Sequence, residues 1–250
     1  TLSAITIQNE PLNAGNNPSM LMSAQEQADF VGNYLGPLFR QAGVDTKIII
    51  YDHNCDRPDY PLTVLNDANA RPYIDGSAFH LYAGDISALG SVHSAFPDKN
   101  LYFTEQWTGA NGSFDGDFVW HVKNVIIGSM RNWSKTALEW NLASAPDYHP
   151  HTPGGCSECK GALTLSGSSV SRNVGYYIIA QVSKFVPPGS VRLASNNTGS
   201  LYSVAFQRPD GKKVCVVLNE GSSAEGFNLR FRQQWITATL PAKSAGTFIW

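Results

Sequence analysis

Short apolar, β-prone runs recur through the first three-quarters of the chain, with stretches of helical periodicity between them. The strand-like runs are residues 4–8, 47–51, 76–80, 101–104 and 137–140. Each is nearly continuous in apolar or β-prone side chains, the pattern of parallel strands buried on both faces. Every interval is long enough for a loop, a helix and a return. Ser23-Ala24-Gln25-Glu26 has the form of a capping box. It opens a helix with Val31, Tyr34, Leu35, Leu38 and Ala42 on one face, stopped by Gly43 and expected to kink at Pro37. Phe118, Val122, Val125, Ile126 and Met130 mark a second helix. Val174, Tyr177, Ile178, Gln181, Val182 and Phe185 mark a third, and residues 60–65 and 86–96 are weaker candidates.

After Pro187-Pro188-Gly189 the pattern changes to alternation. Residues 191–195, 201–207, 213–219, 226–232, 235–240 and 246–250 read as antiparallel strands, joined by turns such as Arg208-Pro209-Asp210-Gly211. The chain thus divides into an α/β part, residues 1–185, and an all-β unit, residues 186–250. Successive β/α units favour a (β/α)8 barrel or an open doubly wound sheet. No Gly-rich phosphate loop follows any strand. Polar residues instead follow every strand: Asn9-Glu10, Asp52-His53-Asn54, His80 and Tyr82, Glu105 and Trp107, Trp140-Asn141. Convergence from many strand ends is the habit of a TIM barrel. A closed barrel needs more strands than are legible here, so only part of one is expected.

At 250 residues the chain has room for one large core, or one core with a smaller neighbour. Apolar content is 42%, and no apolar run approaches the roughly 18 residues of a membrane span. A net charge of −2, mixed along the chain, gives no electrostatic case for nucleic acid or an anionic membrane. Six Trp and ten Tyr, several beside strand ends, suit a sugar-binding cleft, although core packing accounts for part of them. The first residue is Thr, and the chain enters a strand with no signal-like segment. It reads as processed, or as a piece of something longer. Cys215 reads as a core residue. Cys156 and Cys159, in a loop with His149 and His151, leave a disulfide, free thiols and a zinc site all open. No catalytic base pairs obviously with that loop.

Glu10 and Glu105 carry the strongest chemistry. Carboxylates at the mouths of two strands, roughly 5 Å apart, are what retaining glycoside hydrolysis requires. Glu10 would protonate the leaving oxygen, with Asn9 binding the 2-hydroxyl. Glu105 would be the nucleophile, kept ionised and in place by Tyr82 or His80. Trp140 offers an apolar floor for a sugar ring.

These stretches resemble glycoside hydrolase family 30, which includes glucosylceramidases and endo-β-1,6-glucanases. The matching segments are Gln8-Asn9-Glu10-Pro11, Tyr34-Leu35-Gly36-Pro37, Phe79-His80-Leu81-Tyr82 and Thr104-Glu105. Further on come Trp140-Asn141-Leu142-Ala143, the run from Ser183 to Ser190, and Val216-Val217-Leu218-Asn219. The resemblance implies the C-terminal part of the barrel, about strands 4–8, with a β-sandwich side domain that lacks its N-terminal strands. It implies Glu10 as acid/base and Glu105 as nucleophile, with Asn9, His80, Tyr82 and Trp140 binding substrate; Asp52, Trp107 and Asn141, at the same strand ends, are further candidates for substrate binding. No cofactor and no metal are expected. The expected substrate is a β-glucan, β-1,6-linked, or a β-glucoside. The alternatives are a glucosylceramidase-type exo-glucosidase acting on glycolipid, or a noncatalytic carbohydrate-binding protein. The loop from 147 to 161 looks closer to bacterial members, and because it carries only Lys160 where a carboxylate clamp is typically Arg, a glucuronic-acid-dependent xylanase is disfavoured. A secreted, periplasmic or cell-surface parent is expected, with no nucleic-acid partner and no transmembrane segment.

Overall fold

The computed structural model describes residues 2–15 and 17–250. Strands Ala4–Thr6, Lys47–Cys55, Ile74–Gly84, Asn100–Glu105 and Ser134–Ala137 pair in chain order into one parallel sheet. On the second strand Ile48 and Ile50 face the helices, whereas Ile49 turns to the opposite face and packs with Ala78, Tyr102 and Ala4. That alternation follows from the two-residue period of a strand. It assigns one face to the helical core and the other to the barrel interior. No helix among the described residues is long and apolar enough to cross a membrane.

The last barrel strand is Ser134–Ala137, not residues 137–140. Its Ser134 pairs with Leu101 and its Ala137 with Phe103. The strand begins on polar residues that hydrophobic patterning does not mark. Leu138 to Trp140 continue beyond it in extended form, with Leu138 N–H bonded to Phe103 O at 3.2 Å and Trp140 N–H to Gln106 O at 2.7 Å.

The first helix begins with the expected capping box at Ser23 and Glu26 and ends on Gly43 at φ 66°. Pro37 is accommodated by a π-helical turn over Val31–Leu35, in which Gly36 N–H bonds to Val31 O. The wider turn shifts the hydrogen-bond register just before a residue that has no N–H. It also changes the phase of the apolar face: Val31 is buried, but Tyr34 and Leu38 are exposed. A closed barrel places another β/α unit on that flank. The second expected helix forms as Phe114–His121, a π-helical stretch Val122–Gly128 and Ser129–Arg131. The third is Val174–Ser183, and the two weaker candidates are Asp59–Asn66 and Ala88–Ala95.

The C-terminal unit is a four-stranded antiparallel sheet of Val191–Leu193, Leu201–Gln207, Lys213–Asn219 and Ser244–Ile249. It is accompanied by the hairpin Glu225–Phe231/Gln234–Leu240. One face of the sheet, with Val204, Phe206, Val216 and Leu218, shares a core with Val122, Ile126 and Ile178 of the barrel helices. The other face packs Cys215 and Val217 against Leu240, Phe227 and Leu229 of the hairpin. Lys123 to Glu220 at 2.7 Å and Arg131 Nη1 to Ser195 O at 2.7 Å add polar ties. A continuous apolar core across the junction holds the two units as one body.

Candidate active site

One irregularity builds the floor of the site. Tyr51 and Asp52 adopt φ values of 71° and 66°, and the pairing with the third strand slips between Tyr51 and His53. Left-handed backbone at two successive non-glycine residues is costly and persists only where its surroundings enforce it. Here Gln27, fully buried, accepts the Tyr51 N–H at 2.9 Å. The bulge keeps Tyr51 in the helix-side core and turns Asp52 inward.

Asp52 Oδ1 lies 3.1 Å from His80 Nε2 and accepts the Thr104 hydroxyl at 2.6 Å. His80 Nδ1 lies 3.1 Å from Glu10 Oε1 and 3.9 Å from Glu105 Oε1. Glu10 enters the site from a left-handed residue at φ 47°. Its N–H is held by Asp52 O at 3.0 Å, and its Oε2 accepts from Asn13 at 2.7 Å. Glu105 ends the fourth strand, and the Tyr82 hydroxyl donates to its Oε1 at 3.0 Å. One oxygen each from Glu10 and Glu105 and one nitrogen of His80 fall within 4.8 Å of one another.

Charge in this cluster is set by burial and pairing together. Burial acts to lower the His80 pKa, but hydrogen bonds and charge from Asp52 and Glu10 push it up to about 9. His80 is therefore an imidazolium near neutral pH and donates from both nitrogens. In that form Nδ1 is a hydrogen-bond donor to Glu10 and Nε2 a donor to Asp52. Burial acts to raise the Glu10 pKa, yet hydrogen bonds from His80 and Asn13 outweigh it and hold Glu10 below its usual value. Glu105 is raised by burial, which His80 and Tyr82 offset only in part.

The structure brings Glu10, Asp52, His80, Tyr82 and Glu105 into one network. Asp52 and His80 are buried, and both nitrogens of His80 are engaged by carboxylates. Trp107 and Trp140 are joined by a parallel backbone bridge just beyond Glu105, with Trp140 49% exposed. Asn9 is exposed beside Glu10. Asn141 Oδ1 is buried without a protein partner. Sequence reasoning missed Thr104 as a ligand of Asp52, Asn13 as a ligand of Glu10, and a buried ion pair between His121 and Glu139. Thr104 lay inside a segment already quoted, and its place on the inward side of the strand was the available signal.

In the loop with His149 and His151, Cys156 and Cys159 form a disulfide, so neither offers a free thiolate there. Cys159–Lys160 pairs with Thr108–Gly109 just after Trp107. Thr152 Oγ1 donates to Asn17 O at 3.2 Å, so the loop spans to the segment after Glu10. Cys55 and Cys215 are free and buried.

Residues 1–186 match the description "Glycosyl hydrolase family 30 TIM-barrel domain", and residues 189–248 match "Glycosyl hydrolase family 30 beta sandwich domain". The endo-1,6-β-D-glucanase neg1 of Aspergillus fumigatus is 35% identical over 98% of this chain and 51% of its own length. The lysosomal acid glucosylceramidase of Mus musculus is 27% identical over 99% of this chain and 52% of its own. A solved endo-β1,6-glucanase superposes with a TM-score of 0.93 at 35% identity, covering 99% of this chain and 58% of that one. The chain spans about half the length of the curated relatives it matches. With a partial barrel, a fused β-sandwich and two strand-end carboxylates around one histidine, the chain belongs to glycoside hydrolase family 30.

Proposed function

We propose that this chain carries the catalytic pair of a retaining β-glycosidase acting on β-1,6-linked glucan, with Glu10 as acid/base and Glu105 as nucleophile. The carrying observation is the approach of their oxygens to within 4.8 Å. Retaining pairs stand about 5–5.5 Å apart, whereas inverting pairs leave roughly 6.5–9.5 Å for a water. Glu105 attacks the anomeric carbon while Glu10 delivers a proton to the leaving oxygen. Water, deprotonated by Glu10, then hydrolyses the glycosyl ester.

The pKa order in the empty site is the reverse of these roles: Glu105 holds a proton more readily than Glu10. Two close carboxylates share protons as a pair, so a bound sugar decides which one is charged. A glycosidic oxygen facing Glu10 accepts a hydrogen bond only from the acid form. Positive charge growing at the anomeric carbon favours the anion of Glu105, which the Tyr82 hydroxyl already supports. Both effects move the proton to Glu10.

The β-1,6-glucan assignment rests on the substrates named in the relatives' own descriptions. Trp140, half exposed at the mouth, supplies stacking surface for a sugar ring. The Cys156–Cys159 disulfide suits an oxidising compartment, so we place the parent protein outside the cytosol, secreted or on the cell surface. In the full-length enzyme, a 2-fluoro-glucoside inactivator should attach to the peptide bearing Glu105. Products from β-1,6-glucan, an aryl β-glucoside and a glucosylated lipid should be compared in parallel. Labelling elsewhere sinks the nucleophile assignment, and turnover of the lipid alone favours a glucosylceramidase-type enzyme.

A further inference from the structure

We propose that the buried His121–Glu139 pair is a positioning device for Trp140 and, through it, for the sugar that reacts between Glu10 and Glu105. The proposal rests on the glycosidase reading above. His121 Nδ1 lies 2.8 and 3.0 Å from the two oxygens of Glu139, and the two side chains are only 5% and 6% exposed. A buried carboxylate is expensive unless it is paired, so this pair is fixed in place once formed.

Glu139 directly precedes Trp140. The Leu138–Trp140 segment is tied to its neighbour by backbone bonds alone, from Leu138 to Phe103 O and from Trp140 to Gln106 O. Those bonds set the plane of the segment, and the side chain between them, that of Glu139, is the one directed inside. In an extended chain successive side chains point to opposite sides. Leu138 and Trp140 are accordingly 51% and 49% exposed, with the Glu139 side chain buried between them. Pairing with His121 braces that inward side chain, and thereby keeps the next residue, Trp140, on the outward side.

The anchor itself is rigid. His121 ends the Phe114–His121 helix, whose continuation carries Val122 and Ile126 into the core shared with the β-sandwich. Trp140 N–H bonds to the carbonyl of Gln106, the residue after Glu105, which places the braced segment at the same mouth as Glu105. Neither residue touches the Glu10–His80–Glu105 cluster. They act through Trp140 rather than on the reacting atoms.

The test uses the full-length enzyme and three variants: Glu139→Gln, Trp140→Phe and both together. Glu139→Gln should lower kcat/KM on β-1,6-gluco-oligosaccharides at least tenfold, and a 2-fluoro-glucoside should still label Glu105 and no other residue, though more slowly. The double variant should be no worse than Trp140→Phe alone, because one effect runs through the other. Without substrate, the emission contributed by Trp140, taken as wild type minus Trp140→Phe, should become more quenchable by acrylamide when Glu139 is Gln. Additive losses, or an unchanged Trp140 contribution, overturn the proposal. A wild-type enzyme with no glycosidase activity overturns the reading beneath it instead, and the quenching result then decides the Trp140 positioning alone. Should Glu139→Gln fail to fold, His121→Asn, whose amide lies near the Nδ1 position, reads the same three quantities.

Discussion

The Tyr82 hydroxyl donates to Glu105 Oε1 at 3.0 Å, from a side chain that reaches the solvent at the mouth of the site. This bond supports the anion of a carboxylate that burial otherwise drives toward its acid form. A hydrogen bond to a charged group contributes about 1.5–3 kcal/mol. Tyr82→Phe should therefore lower kcat by roughly 10- to 150-fold. The Glu105 pKa should rise further, moving the acidic limb of the kcat/KM profile to higher pH. An unmoved limb would show that Tyr82 does not tune the nucleophile.

His80 gives the fold a pH dependence that is separable from catalysis. Its pKa rises from 6.5 to about 9 on folding, so it binds a proton more tightly in the native state. Such a group contributes its full stability below its unfolded pKa and loses it as the pH climbs through the folded value. The shift corresponds to roughly 3 kcal/mol. Thermal unfolding of the wild type should fall between pH 6.5 and about 9 relative to His80→Gln. Parallel curves for the two proteins across that window would refute the assignment.

Asp52 is the counterweight to that charge. Asp52→Asn removes the carboxylate at 3.1 Å from His80 Nε2, leaving Glu10 as the only carboxylate within hydrogen-bond reach. The imidazole pKa should fall, and with less positive charge beside it the Glu10 pKa should rise. We expect kcat/KM to drop about 10-fold or more, and the histidine titration followed by NMR to move to lower pH. Thr104→Val, which removes an uncharged donor to the same oxygen, should cost about 1.5–3 kcal/mol of stability by urea unfolding while leaving the histidine titration nearly in place. If Thr104→Val proved as severe as Asp52→Asn, the ranking of charge over neutral bonding here would be wrong.

Much of this site was legible before any coordinates. Strand-end positions placed Glu10 and Glu105 at one mouth, and the Ser23 cap and the Gly43 stop were read correctly. What escaped depended on contacts between distant segments. The inward turn of Asp52 requires left-handed backbone at Tyr51 and Asp52, and the residue accepting the freed N–H, Gln27, lies 24 positions away. Hydrophobic patterning placed the last strand too late because Ser134, Lys135 and Thr136 pair through backbone and hydroxyl groups. His121 and Glu139 are each unremarkable in sequence, and only the packing of a helix against a strand end joins them.

The loop that sequence alone left among a disulfide, free thiols and zinc yields a sharp expectation. With Cys156 and Cys159 bonded, the histidines of the loop have no thiolates to share a metal with. Closing so small a ring restricts the unfolded chain by about 2 kcal/mol, the low end of the usual range. Cys159 also carries the short pairing with Thr108–Gly109, and the loop reaches Asn17 beyond Glu10. Replacing both cysteines with Ser should thus lower the melting temperature by about 4–8 °C. KM should rise more than kcat falls, because the loop borders the cleft without touching Glu10 or Glu105. Reduction of the wild type should reproduce both effects, and zinc added to oxidised protein should change neither. A cysteine-free variant with wild-type KM would mean that the loop does not shape the substrate path.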